Sequence, residues 1–195
     1  MKYNNKPLIF ATNNSHKVSE IRQQLGDQFE IITLKEAGIT IDIPEPHDTI
    51  MANASEKSKT IFDLTGMDCF SEDTGLEVDA IAGEPGVKSA RYVEKDEQFS
   101  SNIEKLLFKL KDKKNKKAKF RTIISLRINS KEYLFEGVCE GKIIDNNKGI
   151  NGFGYDPIFI PEGSNRTFAE MTTEEKAFYS HRGKAVKKLA EFLNQ

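Results

Sequence analysis

The sequence contains no tryptophan, only two cysteines and three histidines, and its 29 basic side chains are offset by 30 acidic ones. Each scarcity excludes something. Cys69 and Cys139 stand too far apart for metal or redox spacing, which fits a reducing compartment where both serve as buried hydrophobes. A formal net charge of -1 leaves no global field to attract nucleic acid or an anionic membrane, so any anion site must be local. Long apolar runs are also missing. The first segment offers only Leu8 to Ala11, too brief for a signal sequence, and nothing later approaches the ~18 apolar residues of a membrane helix. The expectation is a soluble, cytoplasmic protein with no membrane and no nucleic-acid partner. At 195 residues the chain suits one two-lobed domain, 1–195, without repeats or a linker.

What is present has a clear period. Pro7 to Thr12 reads as a buried strand, followed by a helix with Val18, Ile21 and Leu25 on one face and Gly26 as its stop. Phe29 to Leu34 reads as a second strand, and strand-helix-strand predicts a parallel α/β beginning. After Pro44 and Pro46, Asp48 or Thr49 caps a helix to about Leu64, ended by Gly66. Met67 to Ser71 is another strand. A Ser101/Glu104 capping box opens a helix, Phe120–Ile128 and Glu132–Ile144 read as an antiparallel hairpin, and two helices close the chain, from Thr172/Glu175 and from about His181. The lysine-rich Lys109 to Lys119 lacks interleaved aromatics and reads as a solvated connector.

Four features do not fit a purely structural reading. In SEDTGLEVD, four carboxylates, Glu72, Asp73, Glu77 and Asp79, crowd around Gly75, and oxygen-only ligands suit Mg²⁺ rather than zinc. Successive strand residues face opposite ways, so Glu72 and Asp73 share one site only if the chain turns, and Thr74-Gly75 is expected to provide that turn. Glu45, fixed between two prolines, is a further candidate ligand. The first strand-to-helix turn, Thr12-Asn13-Asn14-Ser15-His16-Lys17, offers free helix N–H groups and a lysine to an anion, although Asn14 and Ser15 equally serve as caps. Lys57 lies on an apolar helix face, where it needs an anionic partner or must snorkel to the rim. On that evidence Lys57→Met is expected to raise the substrate requirement while leaving stability unchanged or improved. His181 and Arg182 put positive charge in a helix first turn, where an anion nearby would resolve the conflict with the dipole. Anion seats beside a carboxylate-bound Mg²⁺ point to a polyphosphate substrate.

TNNSHK after the first strand, EDTGLEVDAIAGEPGVKSARY in the middle, and GFGYDP followed by EEK and SHRGKA together resemble the inosine triphosphate pyrophosphatase family, from about residue 8 to the C-terminus. The resemblance implies an α/β fold with a long mixed central sheet flanked by helices and two lobes around a cleft. It also implies Mg²⁺-dependent hydrolysis of ITP, dITP and XTP to monophosphate and pyrophosphate by a homodimer. Carried over by position, Thr12 to Lys17 match the triphosphate loop, Lys57 and Thr74 match substrate contacts, and Glu45, Glu72 and Asp73 match metal-associated acids, with Asp73 orienting the attacking water. Phe153, Gly154, Tyr155, Asp156, Lys176, His181 and Arg182 match the nucleoside set. Three positions depart from the pattern: Glu72 replaces the commoner Asp, Thr74 replaces Ser, and Ala52 stands where many relatives carry Glu.

Overall fold

The computed structural model describes Tyr3, residues 6–94 and residues 96–195. In chain order the regular elements are β1 (Leu8–Phe10), α1 (Ser15–Leu25), β2 (Ile31–Thr33), α2 (Ile50–Thr65), β3 (Cys69–Val78) and β4 (Pro85–Gly86). They continue with α3 (Asn102–Leu110), β5 (Lys117–Ile128), β6 (Lys131–Ile143), β7 (Phe159–Pro161), α4 (Thr173–Tyr179) and α5 (His181–Leu193). The strands join in the order β2-β1-β3-β5-β6-β7, with β4 on β3. β1 is parallel to β2 and β3, as helical crossovers require, whereas β4 on β3 and β7 on β6 are antiparallel. The sheet is therefore mixed and flanked by helices, as the resemblance implied.

Local chemistry sets the boundaries. Thr49 caps α2 by accepting from the Ala52 N–H at 3.1 Å, and Gly66 ends it in the left-handed conformation, φ 67°. Ser101 caps α3 through the Glu104 N–H, but Glu104 reaches back to the N–H of Ser100, at 2.8 Å, rather than closing the predicted box on Ser101. Asn129 and Ser130, at φ 49° and 65°, form the two-residue connection of the β5–β6 hairpin. The Thr172/Glu175 box on α4 is complete.

The chain divides into two compact units, 1–73 with 122–137 and 182–195, and 74–121 with 138–181. In the first, the strand period of two splits the core cleanly. Leu8, Phe10 and Phe70 pack with Ile21 and Leu25 of α1 and Val186 and Leu189 of α5, while Ile9, Ala11 and Cys69 pack with Ile61 of α2. Phe10 and Phe70 stack at 4.5 Å. Burial pushes the Cys69 thiol up to about 12, consistent with its reading as an inert core residue. In the second unit, Leu106 and Leu110 of α3 close over Phe120, Cys139, Phe159 and Phe168.

One expectation fails at a decisive place. β3 does not turn at Thr74-Gly75 but continues unbroken to Val78. The buried Leu76 and Val78 keep it in the sheet, since both belong to the core of the second unit.

Candidate active site

Because β3 runs straight, its alternation disperses the carboxylates that the sequence crowds together. Cys69, Ser71 and Asp73 face α2: the Ser71 hydroxyl donates to the Ala54 carbonyl at 2.5 Å, and Asp73 Oδ1 accepts from Lys57 Nζ at 3.4 Å. Phe70 and Glu72 face the other way, towards α1 and α5. Farther along, Glu77 pairs with Lys119 and Arg121, and Asp79 opens a short 3-10 turn. No three acidic, histidine or cysteine side chains gather as a metal cluster among the described residues. The four carboxylates that the sequence crowds together therefore do not share one place; of them only Asp73 stands with Glu45 around Lys57.

The Asp73 cluster lies on the α2 face. Lys57 Nζ bonds Glu45 Oε1 at 2.5 Å as well as Asp73, so an ammonium only 7% exposed has two carboxylate partners and does not snorkel. Asn53 fixes the proline loop that carries Glu45, since its side chain accepts from the His47 N–H at 2.9 Å and donates to the His47 carbonyl at 3.1 Å. Asp73 Oδ2 is buried without a hydrogen-bond partner. Burial pushes the Asp73 carboxyl above its ordinary value; Lys57 and Lys17 oppose the rise and Glu45 adds to it.

Glu72 lies on the opposite face of β3 from Asp73. It is fully buried, with Oε2 accepting from Arg182 Nε at 3.0 Å and Oε1 from Arg182 Nη2 at 2.8 Å. Thr122 Oγ1 also donates to Oε1, at 3.2 Å, and Lys17 Nζ stands 3.8 Å from it. The remaining edge of the guanidinium, Nη1, meets Glu20 Oε2 at 2.6 Å. Burial opposes the charge of Arg182, and Glu72 and Glu20 together outweigh that opposition. Both Glu72 oxygens thus accept from the guanidinium fork. Arg182, expected beside a base, here faces two carboxylates. Glu20 and Thr122 were missed by sequence reasoning. The only trace of Glu20 is an acid one turn beyond Lys17, and its partner lies 162 positions away.

The first turn of α1 is internally capped. Asn14 Oδ1 accepts from the N–H groups of His16 and Lys17 at 3.0 and 3.2 Å, and the Asn14 N–H donates to Thr12 Oγ1 at 3.2 Å. Asn13, Ser15 and His16 are exposed, whereas burial pulls the Lys17 ammonium below its ordinary value against the pull of Glu72.

The second unit holds its own cluster. Asp156 Oδ2 accepts from Lys176 Nζ at 2.6 Å and from the Phe153 N–H at 2.8 Å, both charges being nearly buried. Lys176 also lies 4.9 Å from the centre of the half-exposed Phe153 ring, a cation-π contact. The Tyr155 hydroxyl donates to the Ser89 carbonyl at 3.0 Å, His181 stacks on Phe120 at 4.6 Å, and Gly154 is exposed at φ 61°. Thr74 is half-buried in β3. A recess lined by Arg22, Gln23 and Phe29 beside the end of α1 shares no residue with either cluster.

Gly152 shows how tightly the second cluster is built. It sits at φ 75°, and a Cβ there would fall 2.1 Å from Asp156 Oδ2. Gly152→Ala should therefore strain the backbone and displace the partner of Lys176, costing about 3 kcal/mol or a Tm lower by roughly 10 °C. Thermal unfolding of the variant checks this, and an unchanged Tm would count against the pinned carboxylate.

Comparison with known proteins sharpens these observations. The Ham1 family model matches residues 8–192. A dITP/XTP pyrophosphatase of Flavobacterium psychrophilum is 48% identical, over 95% of this chain and 98% of the relative. A second protein of that name from Flavobacterium johnsoniae is 47% identical, over 95% and 97%. Among solved structures, a HAM1 protein from Coxiella burnetii matches with a TM-score of 0.86 at 34% identity, covering 96% of this chain and 98% of that one. The Ham1 protein of Staphylococcus aureus matches at 0.85 and 35%, with the same coverage. Match in sequence and in fold over nearly the whole length leads to one conclusion: this chain belongs to the Ham1 family.

Proposed function

We propose that this protein hydrolyses ITP, dITP and XTP between the α and β phosphates, releasing the nucleoside monophosphate and pyrophosphate, with Mg²⁺ as cofactor. Clearing deaminated purines from the nucleotide pool would be its role, as a cytoplasmic homodimer with no nucleic-acid or membrane partner. The names carried by its relatives support the substrate class. No described helix is long and apolar enough to cross a membrane. The observation that carries the chemistry is Asp73, a buried carboxylate with one oxygen unengaged beside two lysines.

The residues present fit a hard divalent cation of modest protein ligation. Around Asp73 and Glu72, the carboxylates of Glu20, Glu45, Glu72 and Asp73 outnumber the cations Lys17, Lys57 and Arg182. Glu45 and Asp73 share one ammonium, so both reach the same point. Two carboxylates are what Mg²⁺ commonly takes from a protein when substrate phosphates and water supply the rest. Magnesium, when bound, neutralises charge on the phosphates.

The chain's own groups do the remainder. Asp73 accepts the proton of a water aligned for in-line attack on the α–β phosphoanhydride, and burial suits it to the task by raising its basicity. Lys17 and Lys57 stabilise the charge that develops on departing pyrophosphate, and the α1 turn from Thr12 holds the phosphate chain, with ligand oxygens competing for N–H groups that Asn14 caps. In the second unit Phe153, Gly154, Tyr155, Asp156 and Lys176 take the nucleoside, together with His181, and Thr74 contributes a further substrate contact. Preference for a 6-oxo purine follows when N–H donors face position 6, because adenine's amino group leaves a donor opposed. Backbone N–H groups or Arg182 fill that role.

A product assay tests the reading. With Mg²⁺, ITP and XTP should yield pyrophosphate, while ATP, dTTP and UTP should be poor substrates. Orthophosphate as the product, or equal rates on ATP, would overturn it.

A further inference from the structure

We propose that Ser71, Ser58 and Ser125 are positioning residues that set the register of α2 along β3 and so place the Lys57 ammonium, a reading that rests on the function proposed above. All three are fully buried where α2 packs Ala54 and Ile61 on the sheet. The Ser71 hydroxyl donates at 2.5 Å to the Ala54 carbonyl, which the helix ladder already pairs with an N–H four residues on, so this is a second bond on an occupied acceptor. One turn later Ser58 Oγ lies 2.6 Å from Ser125 Oγ and accepts from Arg127 Nε at 3.2 Å. Ser125 spends its proton on Glu132 Oε1 at 2.7 Å, which leaves Ser58 the donor of the shorter contact. Arg127 Nη2 stands 3.7 Å from Glu132 Oε2 and closes a polar ring across α2, β5 and β6.

These bonds fall on either side of Lys57, at positions 54 and 58. Cys69 Sγ meets the Ser58 carbonyl at 3.2 Å while Ser71 meets Ala54, so α2 runs against β3. Asp73, two residues farther on the same face of β3, therefore lies towards the start of α2, and Lys57 reaches it because helical side chains lean towards the N-terminus. Glu45 moves with the helix rather than with the strand, since Asn53 of α2 holds its loop through both backbone groups of His47. Lys57 and Glu45 thus belong to one body, and the serines fix where that body stands against Asp73.

Apolar packing alone leaves that position loose. Contact between Ala54, Ile61 and the strands has no preferred direction, so a small slide of the helix loses little buried area, whereas hydrogen bonds at both ends of one turn weaken steeply when bent or stretched. Stability gives a weak reason for these hydroxyls. Replacing both members of a buried pair by apolar groups is close to neutral, and the Ala54 carbonyl keeps its helical partner without Ser71. What alanine cannot keep is direction. Displacement of a group at a reacting centre by about 1 Å lowers turnover on the order of 10²-fold, of which the flexible stem of a lysine absorbs part.

The test compares Ser71→Ala and the Ser58→Ala/Ser125→Ala double variant with Ile61→Val, which trims apolar packing on the same helix and removes no hydrogen bond. The quantities measured, well below each Tm, are kcat and KM for ITP and the inhibition constants of the products pyrophosphate and IMP. We expect turnover to fall by about 10-fold in both serine variants and inhibition by pyrophosphate to weaken by a similar factor, because Lys57 is assigned to that product, with IMP inhibition unchanged. Ile61→Val should lower the Tm by at least as much as either and keep full turnover. Serine variants as active as wild type would overturn the proposal. So would an equal loss of turnover in Ile61→Val, or an equal weakening towards pyrophosphate and IMP, since both mark general loosening. Should Ser71→Ala fail to fold, the Ser58→Ala/Ser125→Ala variant carries the comparison. A wild type that releases no pyrophosphate from ITP would sink the functional reading itself, a result distinct from the outcomes above, which are all read against an active wild type.

Discussion

Asp73→Asn should lower kcat by about three orders of magnitude while raising the Tm. The change is nearly isosteric, so β3 and the Lys57–Glu45 pair remain, but asparagine cannot take the proton of an attacking water. The stability gain follows from the direction of the Asp73 shift. Burial raises the carboxyl above its unfolded value, and Lys57 and Lys17 do not fully cancel that rise. A carboxyl so shifted binds its proton more tightly in the folded state, so its ionisation costs stability once the pH has climbed through the raised value. In EDTA, the Tm advantage of Asp73→Asn should thus be largest at neutral to alkaline pH and vanish on acidification below the ordinary carboxylate range. Thermal unfolding across pH, beside ITP turnover, reads both effects. An active variant would remove the role assigned to Asp73, and a Tm below wild type at alkaline pH would mean that the ionised carboxylate stabilises the fold.

What the sequence disclosed and what it concealed follow from the range of each interaction. Caps and stops are local: Thr49 and Gly66 bound α2 as their side-chain chemistry predicts, and the φ values of Asn129 and Ser130 turn the hairpin at the expected place. Alternation is local as well, which is why Leu8 and Ile9 sort to different helices. The error at Thr74-Gly75 came from demanding that neighbouring acids serve one site. Once β3 is straight, Glu72 and Asp73 must serve different faces, and the partner of Glu72 lies 110 positions away. No periodicity reports such a pairing. Lys57 was legible as an anomaly because it interrupts an apolar face, but its two partners were not, since Glu45 reaches it through a loop and Asp73 across a strand. In the same way Asp156 and Lys176 stand out as types while their 2.6 Å contact depends on tertiary folding.

That difference reverses the expectation for Lys57→Met. Judged by its helix face alone, methionine belongs there, and stability should hold or improve. Judged by its contacts, the substitution strands Asp73, only 6% exposed, and removes the charge that most opposes its raised pKa. Breaking a buried pair by deleting one partner costs about 3 kcal/mol, or a Tm lower by roughly 6–12 °C in a chain of this size. The deficit must depend on pH in a definite sense. Without Lys57 the Asp73 carboxyl rises further, so the penalty is absent where both folded and unfolded states are protonated and grows as the pH climbs through the new folded-state value. Substrate affinity should fall at the same time, as Lys57 is one of two lysines proposed to meet the phosphates. Adding Asp73→Asn to Lys57→Met should restore most of the lost Tm without restoring turnover, because it removes the stranded charge and the proton acceptor together. If Lys57→Met is instead as stable as wild type at every pH, the 3.4 Å contact between ammonium and carboxylate contributes nothing, and the ordering of Asp73 must come from the Glu72 side of β3 alone.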